Sequence, residues 1–388
     1  MAIVFLGLSA AVCGRWAEEG GPRRAMFTAG ICFGSGFLVA AAGVYMHNLW
    51  AVYLGNGVLG GIGLGLGYIS PVSTLIRWFP DRPGMATGMA ITGFGGGAFI
   101  ASPLSVWLMR QFSTSTHVGV AETFIVLGAV YFCFMTVGAA IVRLPAPGWM
   151  PAGYVPPTQP KKLITTKDVF VYQALKTPQF WLIWWVLCLN VTAGIGVIGQ
   201  ASAMSQEMFA GHITATAAAG FVGLMSLFNM GGRFFWASVS DYIGRKTTYF
   251  VFFALGTILY ATVPYAGGIG SVGLFVLCFC VVISMYGGGF ATVPAYLRDM
   301  FGTRYVGAIH GMLLTAWSAA GIFGPVLVNY IRQYNVDHGV AKAQAYNITM
   351  YLMAVLLVVG FPCNLCITSV HERHHMVPDE FDAIGMAD

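Results

Sequence analysis

Gly14-Arg15-Trp16-Ala17-Glu18-Glu19-Gly20-Gly21-Pro22-Arg23-Arg24 places an acidic pair, two glycines and a basic pair at the end of an apolar run. A second version follows past the middle of the chain: Gly232-Arg233-Phe234-Phe235-Trp236-Ala237-Ser238-Val239-Ser240-Asp241-Tyr242-Ile243-Gly244-Arg245-Lys246. Each version puts an acid, a glycine and a basic pair where a helix would leave an apolar layer. A charged turn written twice between apolar segments is the pattern of a duplicated helical membrane protein.

The composition requires such a layer. Hydrophobic residues make up 57% of the 388 residues and charged residues 9%, with a mean hydropathy of +0.74. Soluble domains carry about 25% charged residues, so this chain lacks the polar surface to fold in water. The net charge of +5 lies in loops and forms no basic stripe interleaved with aromatics, which argues against a nucleic-acid partner. The 8 cysteines all sit in apolar runs, where a thiol is a small packing residue. Cys363-x-x-Cys366 has a redox-like spacing inside a hydrophobic segment, and His371, His374 and His375 lie in a charged tail. Neither is read as a site for a metal, and no cofactor is expected.

A span needs roughly 17–25 apolar residues. Such runs fall at about 25–45, 49–76, 85–109, 119–142, 178–201, 213–240, 247–265, 270–296, 306–331 and 345–369, with a shorter run from Met1 to Gly14. The expected fold is an all-α membrane protein of about eleven spans in two bundles, residues 1–143 and 178–370. Residues 144–177 join them through Pro145, Pro147, Pro151, Pro156, Pro157 and Pro160, then Lys161, Lys162, Lys167 and Lys176, the composition of a mobile linker. Residues 371–388 form a tail.

Loop charges set the expected orientation. Arg15, Arg23, Arg24, Arg77, Arg82, Arg143, the four linker lysines, Arg245, Lys246, Arg298, Arg304 and Arg373 occupy one alternating set of loops. Arg110, Arg332 and Lys342 occupy the other. The first set is expected in the cytoplasm, together with the linker and the C-terminus, around a multi-pass protein of the inner or plasma membrane. On that parity the Met1 run enters the layer from outside, and the first half has one span fewer than the second. The expectation is that the chain starts within the second helix of a six-helix bundle.

The paired turns, the central linker and the six-plus-six pattern resemble the major facilitator superfamily and, within it, the oxalate/formate antiporter family. The stretches that carry the resemblance begin with Arg77-Trp78-Phe79-Pro80-Asp81-Arg82-Pro83-Gly84-Met85-Ala86-Thr87-Gly88 and Gly93-Phe94-Gly95-Gly96-Gly97-Ala98. They continue with Asn229-Met230-Gly231-Gly232-Arg233 and Thr315-Ala316-Trp317-Ser318-Ala319-Ala320-Gly321-Ile322-Phe323-Gly324-Pro325. The proline-rich Gly148–Pro157 segment is similar to that family's linker. The resemblance implies two six-helix bundles about a central site that opens alternately to each side. It also implies small carboxylates such as oxalate, formate or pyruvate as substrates.

Arg233 stands out on physical grounds. It lies eight positions before Asp241, roughly 12 Å up a helix at 1.5 Å per residue. A guanidinium at that depth needs a partner, water or a cavity, and its fork matches a carboxylate. The resemblance implies a carboxylate-binding arginine on this helix, with Asn229 one turn before it. The bland alternative is an arginine that snorkels or pairs structurally. Tyr68, Tyr286, Phe290 and Trp317 lie on spans that would line the cavity, and Tyr286 and Phe290 share a helical face. Membrane cores are rich in aromatics, so packing is the competing reading for each one alone.

The resemblance also implies a lysine for oxalate-transporting members where this chain has Trp317. One cation balances one carboxylate, and a dianion would leave a charge uncompensated in low dielectric. The expected substrate is therefore a monocarboxylate such as formate, pyruvate or lactate, with an oxalate or dicarboxylate exchanger as the alternative. Glu18, Glu19, Arg23, Arg24, Asp81, Arg82, Asp241, Arg245 and Lys246 are read as gate parts that pair at the seam when the cytoplasmic side is closed. The acids lie at helix ends and in loops, and His310 lies near a helix end, so exchange or uniport is expected over proton coupling. A monomer without enzymatic activity completes the reading, against a non-transporting sensor with the same fold.

Overall fold

The computed structural model describes residues 1–115, 117–146, 148–154, 163–165 and 167–376. Long helices follow one another through the chain: α1 (Ala2–Glu19), α2 (Pro22–Tyr45), α3 (Leu49–Trp78), α4 (Pro83–Phe112) and α5 (Val120–Ile141). After the linker come α6 (Pro178–Ile198), α7 (Ala215–Ile243), α8 (Arg245–Gly268), α9 (Val272–Phe301), α10 (Val306–Asp337) and α11 (Asn347–Leu365). Among the described residues, 9 of these are long and apolar enough to cross a membrane. The other two are α1, with Arg15, Glu18 and Glu19 in its last turns, and α7, with Arg233 and Asp241.

The duplicated turn has one backbone cause. Gly21 ends the first turn at φ 81°, ψ 159°, and Gly244 ends the second at φ 87°, ψ 152°. Both values lie where a side chain is rarely tolerated, so glycine reverses the chain between α1 and α2 and between α7 and α8. Pro22 then starts α2 with a φ already suited to a helix.

In the first half α2 packs against α5 and α3, and α1 against α3. In the second, α7 packs on α9, α8 on α11 and α9, and α6 on α10 and α11. The halves meet where α4 lies along α7 and α9 and where α1 lies along α10. Side chains such as Trp50, Phe134, Val326 and Tyr330 stay exposed on the outer surface. An apolar exterior is what a lipid-facing helix requires.

Two expectations change. The linker is not mobile throughout: its described second part is bound to the second half. Thr165 N–H donates to Asp299 O at 2.8 Å, and Val169 N–H to Phe301 O at 2.9 Å. Asp168 accepts from Thr303 N–H at 2.8 Å and Arg304 N–H at 3.0 Å. Val169, Val171 and Ala174 are buried, so apolar burial fixes a segment whose lysines suggested solvent. Pro147, Pro156, Pro157, Pro160, Lys161 and Lys162 of the expected linker, and residues 377–388 of the tail, lie outside the described residues.

The second change is in α10, expected as one run over 306–331. It breaks after Leu313 and resumes at Thr315, ending at Asp337. Leu314 N–H is shared between His310 O and Gly311 O, and Thr315 Oγ1 donates to Met312 O at 2.8 Å. A threonine hydroxyl that bonds a preceding carbonyl loosens the helical ladder locally.

Close packing at Gly232 allows a paired test. A Cβ there would lie 2.6 Å from Ser284 Cα, whereas one on Gly231 meets nothing within 4 Å. Gly232→Ala is expected to destabilise the fold by about 1–3 kcal/mol, and Gly231→Ala to leave stability unchanged or raise it by up to about 1 kcal/mol. Thermal unfolding of the two purified variants in one detergent checks this.

Candidate functional site

Arg233 sits on α7 where α4 and α9 close against it, with 1% of its surface exposed. The helices leave room for it through glycines. A Cβ on Gly95 would lie 2.7 Å from its Nε, and one on Gly287 would lie 3.1 Å from its Cγ. Gly95, in the Gly93–Gly97 run, and Gly287 therefore leave a slot for the arginine.

The guanidinium is incompletely partnered. Its Nε donates to Asn229 Oδ1 at 3.2 Å, one turn back on the same helix. Its Cζ lies 5.5 Å from the ring centre of Phe94 and 5.5 Å from that of Phe290. Nη1 is buried without a hydrogen-bond partner. No ion pair to Arg233 is found among the described residues. Ring faces attract a cation by about 0.5–2 kcal/mol each, which falls short of the cost of desolvating a charge by several kcal/mol. The site therefore has a net positive charge and a free donor.

The side chains singled out from the sequence converge around that charge. Trp317 lies 4.4 Å from Phe290 with its ring tilted against it and 5.8 Å from Tyr68, and Tyr286 lies 5.2 Å from Phe290 (ring centres). Tyr68 and Tyr286 stand within electrostatic reach of the guanidinium. Tyr68 Oη and Trp317 Nε1 are buried without a partner at hydrogen-bond geometry, Tyr68 standing near the guanidinium and Trp317 near Tyr286. The sequence reading missed two members. Phe94 joins Tyr68 at 5.8 Å and Trp317 at 5.4 Å; its mark was being the lone aromatic in a glycine run. His310, placed near a helix end by the sequence reading, has its ring 5.6 Å from that of Tyr68.

The charged turns divide into two groups. Glu18 accepts from Arg77 Nη2 of its own half at 2.7 Å and crosses the seam to accept from Ala308 N–H, in the first turn of α10, at 2.9 Å. Asp241 crosses it in the opposite sense, accepting from Gly84 N–H at 2.9 Å and Met85 N–H at 2.8 Å, in the first turn of α4. Each acid thus meets unpaired amides and the positive end of a helix in the other half. Arg245 stays behind Asp241, donating to it at 2.6 Å and to Asp299 at 3.0 Å. Arg298 adds a cross-seam bond to Pro80 O at 3.2 Å.

The second group stays local. Glu19 pairs with Arg15 at 2.6 Å on its own helix, and Asp81 lies 3.9 Å from Arg82. Arg23 donates to Ala140 O and Val142 O at 3.1 Å each, closing the end of α5. Lys246 donates to Leu365 O at 2.6 Å and Ile367 O at 2.9 Å, closing the end of α11. Arg24 makes no such contact among the described residues. The expected charge pairs across the seam are thus replaced by carboxylates on backbone amides. A helix start offers several donors aligned in one direction, which a flexible basic side chain does not.

Fold and site together define a two-bundle helical membrane protein with an under-compensated cation, Arg233, in an aromatic enclosure. The chain belongs to the Major Facilitator Superfamily, whose family model matches residues 1–325. It is 29% identical over 311 residues to the oxalate:formate antiporter of Oxalobacter formigenes, covering 80% of this chain and 69% of that protein. It is 25% identical to the apicoplast pyruvate carrier 1 of Toxoplasma gondii, covering 76% of this chain and 62% of the carrier's length. Among solved structures, the fucose:proton symporter of E. coli superimposes with a TM-score of 0.67 at 11% identity, over 95% of this chain and 90% of that one.

Asn229→Leu removes the acceptor that holds Arg233 Nε and strands a further buried donor. A loss of about 1–3 kcal/mol in stability is expected, read as a fall in unfolding temperature in detergent. Anion binding at Arg233 should recover part of that loss.

Proposed function

We propose that this protein carries small monocarboxylates such as formate, pyruvate or lactate across a membrane by alternating access, as an exchanger or uniporter. One observation carries the reading: Arg233 is buried with no counter-ion among the described residues, and its Nη1 lacks a hydrogen-bond partner beside the rings of Phe94 and Phe290. A carboxylate would supply both the missing charge and the missing acceptors. In this reading Arg233 binds the carboxylate, Asn229 fixes the guanidinium plane, and Tyr68 and Tyr286 face the anion with their hydroxyls. Phe290 and Trp317 close the apolar sides. The printed functions of the relatives, an oxalate:formate antiporter and a pyruvate carrier, agree with a small carboxylate. Trp317 in place of a second cation favours a single carboxyl.

The bundles 1–143 and 178–370 would move against each other, with the linker face in the cytoplasm, as its excess of basic loops suggests. Glu18 and Asp241 would lock that face by capping α10 and α4, and release them as it opens. Replacing these contacts with water costs little at an interface that hydrates on opening, so the lock can cycle. A monomer in the lipid bilayer suffices for this motion.

Uptake of labelled pyruvate and oxalate into proteoliposomes tests the reading. Arg233→Ala is expected to lower pyruvate uptake by about 100-fold or more, and Trp317→Lys to raise the oxalate-to-pyruvate ratio by about tenfold. Saturable pyruvate uptake unchanged in Arg233→Ala would make the arginine structural and overturn the assignment.

The lock has its own test. Ser73 lines a small cavity beside Glu18 and Arg77 on the linker face. With Ser73→Cys as reporter, Glu18→Gln is expected to speed maleimide labelling by about 3–10-fold, the equivalent of losing a partly buried helix-cap charge. Labelling no faster than in the parent would remove Glu18 from the lock.

A further inference from the structure

His310 borders the carboxylate site through Tyr68 but has no role in the reading given so far, and its surroundings are hard to explain by packing. The side chain is 1% exposed, and neither Nδ1 nor Nε2 has a hydrogen-bond partner. A neutral imidazole always presents one N–H and one bare nitrogen, so burial leaves both groups unsatisfied. An apolar side chain of similar size would fill the space without that cost. Nor can the helix relax away from it. On the far side, at Gly311, α1 is so close that a Cβ would collide with Ala10 O.

The unsatisfied groups are contiguous. Tyr68 touches His310 at 5.6 Å and Trp317 at 5.8 Å, so both rings approach the same tyrosine from α10. They are seven residues apart, one on each side of the break at Leu314. Arg233, Trp317 and His310 thus all stand beside Tyr68, and each of the four side chains carries a buried polar atom without a partner at hydrogen-bond geometry. Donors predominate among them: the guanidinium and the indole cannot accept. A carboxylate engages donors near Arg233. Another polar atom on the same molecule is needed to engage His310.

We propose that His310 is a specificity-determining residue that hydrogen-bonds the oxygen at carbon 2 of a 2-oxo or 2-hydroxy monocarboxylate. The proposal rests on the reading of Arg233 as the carboxylate anchor. A 2-oxo oxygen accepts from the imidazole N–H, and a 2-hydroxyl can also donate to the bare nitrogen, so the ring serves both classes without changing charge. Acids that lack a substituent at carbon 2 leave His310 as unsatisfied as the empty site does. A site built to bond a polar group rejects the analogue without it.

Binding of pyruvate, lactate and propionate to the purified full chain in detergent, by calorimetry, tests this. Wild type should bind pyruvate and lactate at least tenfold more tightly than propionate. His310→Phe should remove that preference while changing propionate binding by less than about twofold, and His310→Gln, which restores a donor and an acceptor, should recover part of it. Equal affinity of the wild type for pyruvate and propionate overturns the proposal without any variant. An unchanged pyruvate-to-propionate ratio in folded His310→Phe overturns it too. Arg233→Ala separates the two readings: it should abolish binding of all three acids, and if it does not, the carboxylate anchor fails whatever His310 does.

Discussion

A guanidinium held out of water without an ion-pair partner cannot be a passive packing element, because its desolvation must be offset by whatever surrounds it. At Arg233 the surroundings are one amide oxygen and two ring faces, and the glycines at 95 and 287 leave the space in which it fits. These contacts come from α4, α7 and α9, on both sides of the seam. The position of the charge therefore depends on how the two halves are docked. An anion bound there would interact with both halves at once, which links binding to their relative movement.

The seam on the linker face follows a second rule. Glu18 and Asp241 occupy related places in the two charged turns, and each caps the start of a helix in the other half. The exchange is reciprocal, so separating the halves exposes both helix starts together. Water can take over these amides as it enters, so such contacts resist opening without making it prohibitive. The basic residues behind them perform a different task. Arg23 and Lys246 satisfy the final carbonyls of α5 and α11 within their own halves, keeping each bundle closed at its end.

The enclosure around Arg233 is aromatic where a second charge would suit a dianion. Trp317 packs at a tilt on Phe290 and stands against Tyr68 and Phe94. It brings a donor, Nε1, without a charge, so the field of the site is that of a single cation. Polar selectivity then depends on where the neutral donors lie, and His310, beside Tyr68, is the neutral group with both nitrogens unspent.

Much of this protein was legible along the chain. Hydrophobic run length decides which segments cross a lipid layer, and the all-α, two-bundle plan follows from it. Two glycines with positive φ explain why the charged turn recurs. Arg233 could be singled out because a charge deep in an apolar run is unusual in any fold. Other features depended on tertiary contacts. The carboxylates meet backbone amides rather than opposite charges, and no residue type marks which helix start will face them. The docked part of the linker is held by backbone hydrogen bonds, which its lysine and proline content does not predict. His310 lies near a helix end, as its place in the sequence suggests, but that its ring meets Tyr68 follows only from the packing. Sequence fixes which groups the chain must bury; only packing decides which of them remain without a partner.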